Sequence, residues 1–163
     1  MMSADLGITL RPIDAHNWGE VVRLHVTREQ ENYVASNTYS LLQAVYEPWW
    51  QPLAIYAGET PVGLILWGRE PQEGRLCVAR LMIGARYQGQ GYGRAALTKL
   101  VGRARAQGAD SLYLSCVPGN AVAEKLYSQL GFAPTGETLR GEPAELDQEP
   151  DEIVMRLSLA PKA

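Results

Sequence analysis

Cysteine is scarce in this chain of 163 residues: only Cys77 and Cys116 occur, with no CxxC spacing. That excludes a disulfide scaffold, a cysteine-ligated zinc site and a redox pair, and leaves two free thiols. Histidine occurs only at His16 and His25, and no cluster of His, Cys, Asp or Glu has metal-ligand spacing, so no metal is expected. Long apolar runs are missing as well. A membrane span needs ~18 such residues, and the longest clear run, Val62 to Trp67, is six. The opening MMSADLGITL lacks the basic start and apolar stretch of a signal peptide. A cytoplasmic location with no membrane partner is therefore expected. Repeats, low-complexity tracts and linkers are absent, so residues 1–163 are expected to form one domain.

Negative charge is absent over a long stretch. Between Gly74 and Ala109 there is no acid, while Arg75, Arg80, Arg86, Arg94, Lys99, Arg103 and Arg105 lie there. From Glu137 to Glu152 the balance reverses, with seven acids against the single base Arg140. Against a net charge of only −3, this asymmetry points to an anionic ligand at one region and a cationic one at the other. The alternative for the acidic stretch is a solvated face.

Composition is globular, with 46% hydrophobic and 20% charged residues. The pattern predicts a strand at Gly7–Arg11, a helix capped by Asp14 and running to about Val26, and a second helix over Arg28–Tyr46. Two β-rich runs, Leu53–Ala57 and Pro61–Trp67, flank Gly58-Glu59-Thr60 as a hairpin. A strand is expected over Arg75–Ile83. Gly91–Gln107 places Ala96, Leu97, Leu100, Val101 and Ala104 on one helical stripe, with Gly108 as the stop. A buried strand at Ser111–Val117 precedes a helix opened by Asn120 and ended at Gly131, its stripe being Ala123, Leu126, Tyr127 and Leu130. Strands at Phe132–Arg140 and Ile153–Leu159 close the chain. The order implies an α/β fold, a mixed sheet with helices on both faces.

The informative segment runs Arg80-Leu81-Met82-Ile83-Gly84-Ala85-Arg86-Tyr87-Gln88-Gly89-Gln90-Gly91-Tyr92-Gly93-Arg94. A strand leads through a short loop into glycines at 89, 91 and 93 and then into an amphipathic helix. Glycine lets a ligand approach the backbone, and the first helical turn offers unpaired N–H donors and the positive dipole end. A diphosphate is the natural guest. The dinucleotide fingerprint G-x-G-x-x-G fails, because Arg94 stands at its last glycine and no acid follows about 20 residues on. The P-loop pattern is absent too, and a ligand-free turn would not need three alternating glycines.

These residues resemble the GNAT superfamily of acetyl-CoA-dependent N-acetyltransferases. Gln88-Gly89-Gln90-Gly91-Tyr92-Gly93 matches its Q/R-x-x-G-x-G/A signature, and Leu81-Met82-Ile83, Asn120, Tyr127 and Leu130-Gly131-Phe132 also fit. Tyr33-Val34-Ala35-Ser36-Asn37 and Arg80-Leu81-Met82-Ile83 are similar to segments of bacterial spermine/spermidine N-acetyltransferases. The resemblance implies a mostly antiparallel mixed sheet of about seven strands and acetyl-CoA as cosubstrate. It implies pantetheine pairing along Leu81, Met82 and Ile83. Backbone donors from Gln88, Gly89, Gln90, Gly91, Tyr92, Gly93 and Arg94 would hold the diphosphate. Asn120 would face the cofactor, and Tyr127, two helical turns on, would protonate the departing thiolate. It implies direct transfer to a primary amine of a small cationic acceptor, a polyamine or diamine such as spermidine or spermine, with Glu29, Tyr33, Ser36 and Asn37 as substrate contacts. A homodimer is a further implication.

One departure concerns Ala79, where polyamine acetyltransferases tend to carry a carboxylate. Gly84 is non-acidic too, so the base falls to water, a backbone carbonyl, or Glu29, Glu31 or Glu47. Other acceptors (an amino acid, an aminoglycoside, a protein N-terminus) stay open, as does a non-catalytic acyl-CoA-binding module. Nucleic acid is not an expected partner, given the net charge and the lack of aromatics interleaved with the basic helix. Cys116 reads as a small buried hydrophobe rather than an acyl carrier. Met82 reads as packing, and His16 and His25 as surface or capping residues. Trp49 and Trp50, with Tyr46 and Pro48, read either as the roof of a substrate mouth or as closure of the core edge, the second being favoured.

Overall fold

Burial is continuous over Leu53–Tyr56 and over Pro61–Trp67, and because successive side chains of a strand point to opposite faces, these stretches feed two cores, one per sheet face. A computed structural model describes residues 6–140 and 151–160. Seven strands form one sheet: β1 (Ile8–Pro12), β2 (Trp50–Ala57), β3 (Thr60–Arg69), β4 (Leu76–Ile83), β5 (Ser111–Cys116), β6 (Ala133–Arg140) and β7 (Asp151–Ser158). Their spatial order is β1-β2-β3-β4-β5-β7-β6, antiparallel throughout except for the parallel pair β4/β5. The expected mixed, mostly antiparallel sheet is what the chain forms. The Gly58-Glu59 hairpin is also present, with Ala57 opposite Thr60.

The larger core lies under α3 (Tyr92–Ala106) and α4 (Ala121–Gln129). Ala96, Leu97, Leu100, Val101 and Ala104 of α3 pack there on Leu53, Ile55, Ile65, Leu112 and Leu114. The smaller core, with Val21 of α1 (Trp18–Arg23), takes Ala54, Tyr56, Leu64 and Met82 from the opposite face. Helix α2 (Asn37–Tyr46) packs on that same side, against β2 and β3. No helix among the described residues is long and apolar enough to cross a membrane.

Two helical expectations need correction. Asp14 does not cap α1. Its carboxylate accepts the N–H groups of His16 at 2.7 Å and Asn17 at 3.1 Å, which turns the chain first, and the helix starts at Trp18. The continuous helix over Arg28–Tyr46 is broken. A 3-10 turn covers Arg28–Asn32, and Ser36, in extended geometry, accepts the Tyr39 N–H at 3.1 Å and starts α2 afresh. The capping bond requires non-helical backbone at Ser36, so no helix can run through it.

Strand β4 carries the feature that shapes the site. Arg80 lies opposite Leu66 and Val78 opposite Trp67, which leaves Ala79 as the extra residue of a β-bulge. Before the bulge, Leu76 and Val78 face α3. After it, Leu81 and Ile83 face that side, while Met82 joins the core beneath α1 and Arg80 stacks on Tyr39 of α2. One inserted residue exchanges the faces of everything that follows.

Leu97 is fully buried in the larger core. Leu97→Ala should lower unfolding free energy by about 2–5 kcal/mol in chemical denaturation. A loss below about 1 kcal/mol would contradict this packing.

Candidate active site

Strands β4 and β5 are held together only by the register pairs Cys77↔Tyr113 and Val78↔Leu114. Beyond Val78 they part, so the β5-facing edge of Ala79–Ile83 has no strand partner among the described residues. A cavity of about 1110 Å³ occupies the opening. Leu81, Met82, Ile83, Gly89, Gly91, Tyr92, Gly93 and Arg94 line one end, and Asn120, Tyr127, Ser115 and Glu152 line it further along.

The glycine turn is built for an anion. Gly89 (φ 79°) and Gly91 (φ 83°) both need the left-handed region, and Gly91 starts α3 without any side-chain cap. The N–H groups from Gly89 to Arg94 are donated to no described residue, since the first bond of α3 runs from Ala95 to the Gly91 carbonyl. Four orphan donors are normal at a helix start. Here the preceding loop adds more, and no acid lies in the first turn. Gln88 holds the turn in place: its Nε2 donates to the Ile83 carbonyl at 2.9 Å and to Gln30 Oε1 at 2.8 Å, and Gln30 Nε2 returns a bond at 3.0 Å. Arg94 donates to Gln129, which ties α3 to α4.

At the middle of the cavity, Asn120 N-caps α4, its Oδ1 accepting the Ala123 N–H at 3.4 Å. Tyr127, on the same helical face, is 8% exposed and sets its ring against Phe132 at 6.1 Å between centroids. Its hydroxyl donates to no described residue. Burial, with the Cys116 and Glu152 charges adding, pushes the phenol well above its ordinary value. The group therefore stays protonated through the neutral range and has a proton to give there. Cys116 is raised by burial and by Glu124 and Glu152, and neither histidine lines the cavity, so it is not an activated nucleophile. Cys77 is pushed up to about 12, by burial and then by Glu70.

Beside α2 the lining is acidic and aromatic, with Glu47, Trp49 and Trp50, and Tyr33, Glu70, Glu73, Arg75 and Arg80 line the cavity as well. Arg80 donates to Gln43, Gln43 Nε2 to Glu47 Oε2 at 3.0 Å, and Trp50 Nε1 to the same oxygen at 2.9 Å. Partial burial pushes Glu70 upward, but N–H bonds from Arg75, Glu73 and Gln72 outweigh it, and the group ends below its ordinary value. Arg75 pairs with Glu73 and Glu137, both at 2.6 Å, and lies over the Tyr113 ring.

Residues 18–132 match the model of the acetyltransferase (GNAT) family. The chain belongs to that family. As a GNAT enzyme it uses acetyl-CoA as acetyl donor. It is 29% identical over 139 residues to a spermine/spermidine N(1)-acetyltransferase of Bacillus subtilis, covering 81% of this chain and 91% of that protein. In structure it is similar to spermidine N-acetyltransferase of Vibrio cholerae in complex with CoA and spermine. The TM-score is 0.73 at 16% identity, over 94% and 96% of the two chains. The ribosomal-protein-S18-alanine N-acetyltransferase of Escherichia coli is comparable, with a TM-score of 0.71 at 18% identity over 96% of each chain.

The site of this GNAT chain fits coenzyme A: unclaimed N–H donors suit a diphosphate, and the free β4 edge suits an amide-bearing arm. Of the residues expected from sequence, Gln90 is exposed and stands apart from the cavity lining. Of the proposed acceptor contacts only Tyr33 lines it. Ser36 caps α2. Asn37 is buried, its Nδ2 donating to the Val21 carbonyl at 2.8 Å. Glu29 and Glu31 sit exposed on the 3-10 turn, outside the lining. Trp49 and Trp50, expected to close a core edge, line the cavity instead. Of the acidic stretch, positions 141–150 lie outside the described residues. Reading from sequence missed Ser115, Gln43, Arg80 and Glu152 as site residues. The alternation Glu152, Val154, Arg156 against Ile153, Met155, Leu157 is the signal that could have placed Glu152.

Gly91→Ala forces a left-handed non-glycine residue at the start of α3, a cost of about 1–2 kcal/mol. Calorimetric titration should show coenzyme A binding weakened about 5- to 30-fold, because about 1.4 kcal/mol is one decade. Unchanged affinity would contradict a backbone diphosphate site.

Proposed function

We propose that this chain transfers the acetyl group of acetyl-CoA to a primary amine of a polyamine or diamine, directly, with both substrates bound together. The observation that carries the reading is the single cavity that joins the unclaimed N–H groups of Gly89–Arg94, the protonated Tyr127 and the acidic, aromatic lining beside α2. The names of the Bacillus subtilis relative and of the Vibrio cholerae complex with spermine support the acceptor class.

In this reading Leu81, Met82 and Ile83 pair with the pantetheine arm, and the Gly89–Arg94 amides hold the diphosphate, with Asn120 alongside. Tyr127 donates to the departing sulfur. A thiolate is a fair leaving group, so a donor that merely accompanies its departure suffices, and a phenol kept protonated by burial suits that task. Beside α2, Glu47, Trp49 and Trp50 hold a second ammonium of the acceptor by charge and cation–π attraction. Glu47 spends one oxygen on Gln43 and Trp50 and keeps its other oxygen for that cation. Cys116, unactivated, carries no acyl group.

A second reading, transfer to a protein N-terminus, draws on Ala79. It also draws on 36% identity over 52 residues, 32% of this chain, with a ribosomal protein bS18-alanine N-acetyltransferase of Haemophilus ducreyi. Free thiol release from acetyl-CoA, followed over a panel of spermidine, spermine, diaminobutane, an amino acid, an aminoglycoside and an alanine-terminated peptide, separates the two. The polyamines should give the largest kcat/KM, and preference for the peptide would overturn the acceptor assignment. Tyr127→Phe should lower kcat about 10- to 100-fold while leaving the KM for acetyl-CoA near the parent value. An unchanged kcat would remove Tyr127 from the chemistry.

A further inference from the structure

We propose that Glu152 takes the place of the carboxylate that Ala79 lacks: it receives the proton from the acceptor ammonium, on the side of the sheet opposite Tyr127. The inference rests on the acetyl-transfer reading above and adds the base which that reading leaves unassigned.

The placement follows from strand alternation. On β5, Leu112, Leu114 and Cys116 belong to the core beneath α3 and α4, and on β7 Met155 does, with Ile153 and Leu157 packed against it. Ser115 lies opposite Val154 in the β5/β7 register, so Ser115, Val154 and Glu152 share the other face. Tyr127 approaches from the α4 side. Both Glu152 and Tyr127 line the same cavity, because that cavity runs through the gap where β4 and β5 part. A donor for sulfur and an acceptor for the ammonium proton thus stand on the two sides of one opening.

Ser115 fixes the direction of the carboxylate. Its hydroxyl donates to Glu152 Oε2 at 2.5 Å, a diagonal contact that draws the side chain across β5 toward the gap. The other acids at the cavity are committed. Glu70 accepts three backbone N–H groups, Glu73 pairs with Arg75, and Glu47, with one oxygen on Gln43 and Trp50, gives its other oxygen to the acceptor's second ammonium in the reading above. Among the described residues, Ser115 is the donor that Glu152 accepts from, which leaves the second oxygen for the amine.

The step balances. The ammonium gives one proton to the Glu152 carboxylate, and the freed lone pair forms the C–N bond at the thioester carbon. The C–S bond breaks with its electron pair leaving on sulfur, Tyr127 supplies the proton to sulfur, and the second proton of the nitrogen reloads the phenol. Glu152 then releases its proton to solvent. An ordinary ammonium and an ordinary carboxylate differ by about six pKa units, and stripping water from the ammonium in the cavity narrows that difference.

The test compares the full-length parent with Glu152→Gln, Glu152→Asp and Ser115→Ala. Acetyl-CoA and spermidine are the substrates, with coenzyme A affinity and thermal midpoint measured alongside. Glu152→Gln keeps an oxygen for the Ser115 hydroxyl but cannot take a proton. Its kcat should fall about 100-fold or more, with KM for spermidine, coenzyme A affinity and thermal midpoint at parent values. Glu152→Asp should recover part of the rate, and Ser115→Ala should lose less than Glu152→Gln. A kcat for Glu152→Gln within about threefold of the parent overturns the assignment, since general-base catalysis contributes far more. So does a fall accompanied by weakened coenzyme A binding or a lower midpoint, which marks a structural role, or a rise in KM alone, which marks acceptor binding. If the parent itself releases no thiol with spermidine, the acceptor reading fails first, and that outcome is distinct from the others.

Discussion

Every functional feature of this molecule depends on β4 and β5 being joined along only two residue pairs, Cys77↔Tyr113 and Val78↔Leu114. A parallel pair zipped along its length would bury the β4 edge and leave no room for a ligand. Instead the strands diverge, and peptide groups of Ala79–Ile83 face a cavity. Leaving backbone donors without partners is costly once water is excluded, so such an edge is stable only while open to solvent or to a chain that pairs with it. The bulge at Ala79 sits at the point of divergence, which couples the opening of the sheet to the change of face along β4.

Around that opening the electrostatics divide by end. One end presents the positive terminus of α3, with N–H groups from Gly89 to Arg94 available and Arg94 braced by Gln129. The other presents carboxylates and indole rings. Between them lies Tyr127, whose buried phenol keeps its proton. In the proposed function, an anionic donor and a cationic acceptor would each be drawn to this cavity by charge and meet beside the phenol. Gln88, placed by the signature in the diphosphate loop, acts through its side chain as a brace: it fixes the Ile83 carbonyl and reaches Gln30 in the 3-10 turn. Its task is to set the loop's position.

Much of this was legible from residues alone because the signals are local. The α3 stripe Ala96, Leu97, Leu100, Val101 and Ala104 is buried as its 3.6-residue period requires. Gly89 and Gly91 take the positive φ that their spacing suggested. What stayed hidden depends on contacts distant in sequence. Arg80 looks like a member of an alternating strand until the bulge moves it to the α2 side. Ser36 and Asn37 resemble substrate residues by motif, but capping and a buried carbonyl bond claim them. Glu152 was concealed by its neighbours, since one acid among seven reads as a solvated face. Alternation along β7 could give its face, and the pairing of β7 with β5, 37 residues away at Ser115, gives its neighbour.

The central claim is that the opened β4 edge and the α3 start together form the coenzyme A site. Backbone amide NMR during titration with coenzyme A tests it most directly. The account predicts the largest shifts at Gly89–Arg94 and along Leu81–Ile83, saturating together. Shifts clustered elsewhere, with these amides unmoved, would contradict it.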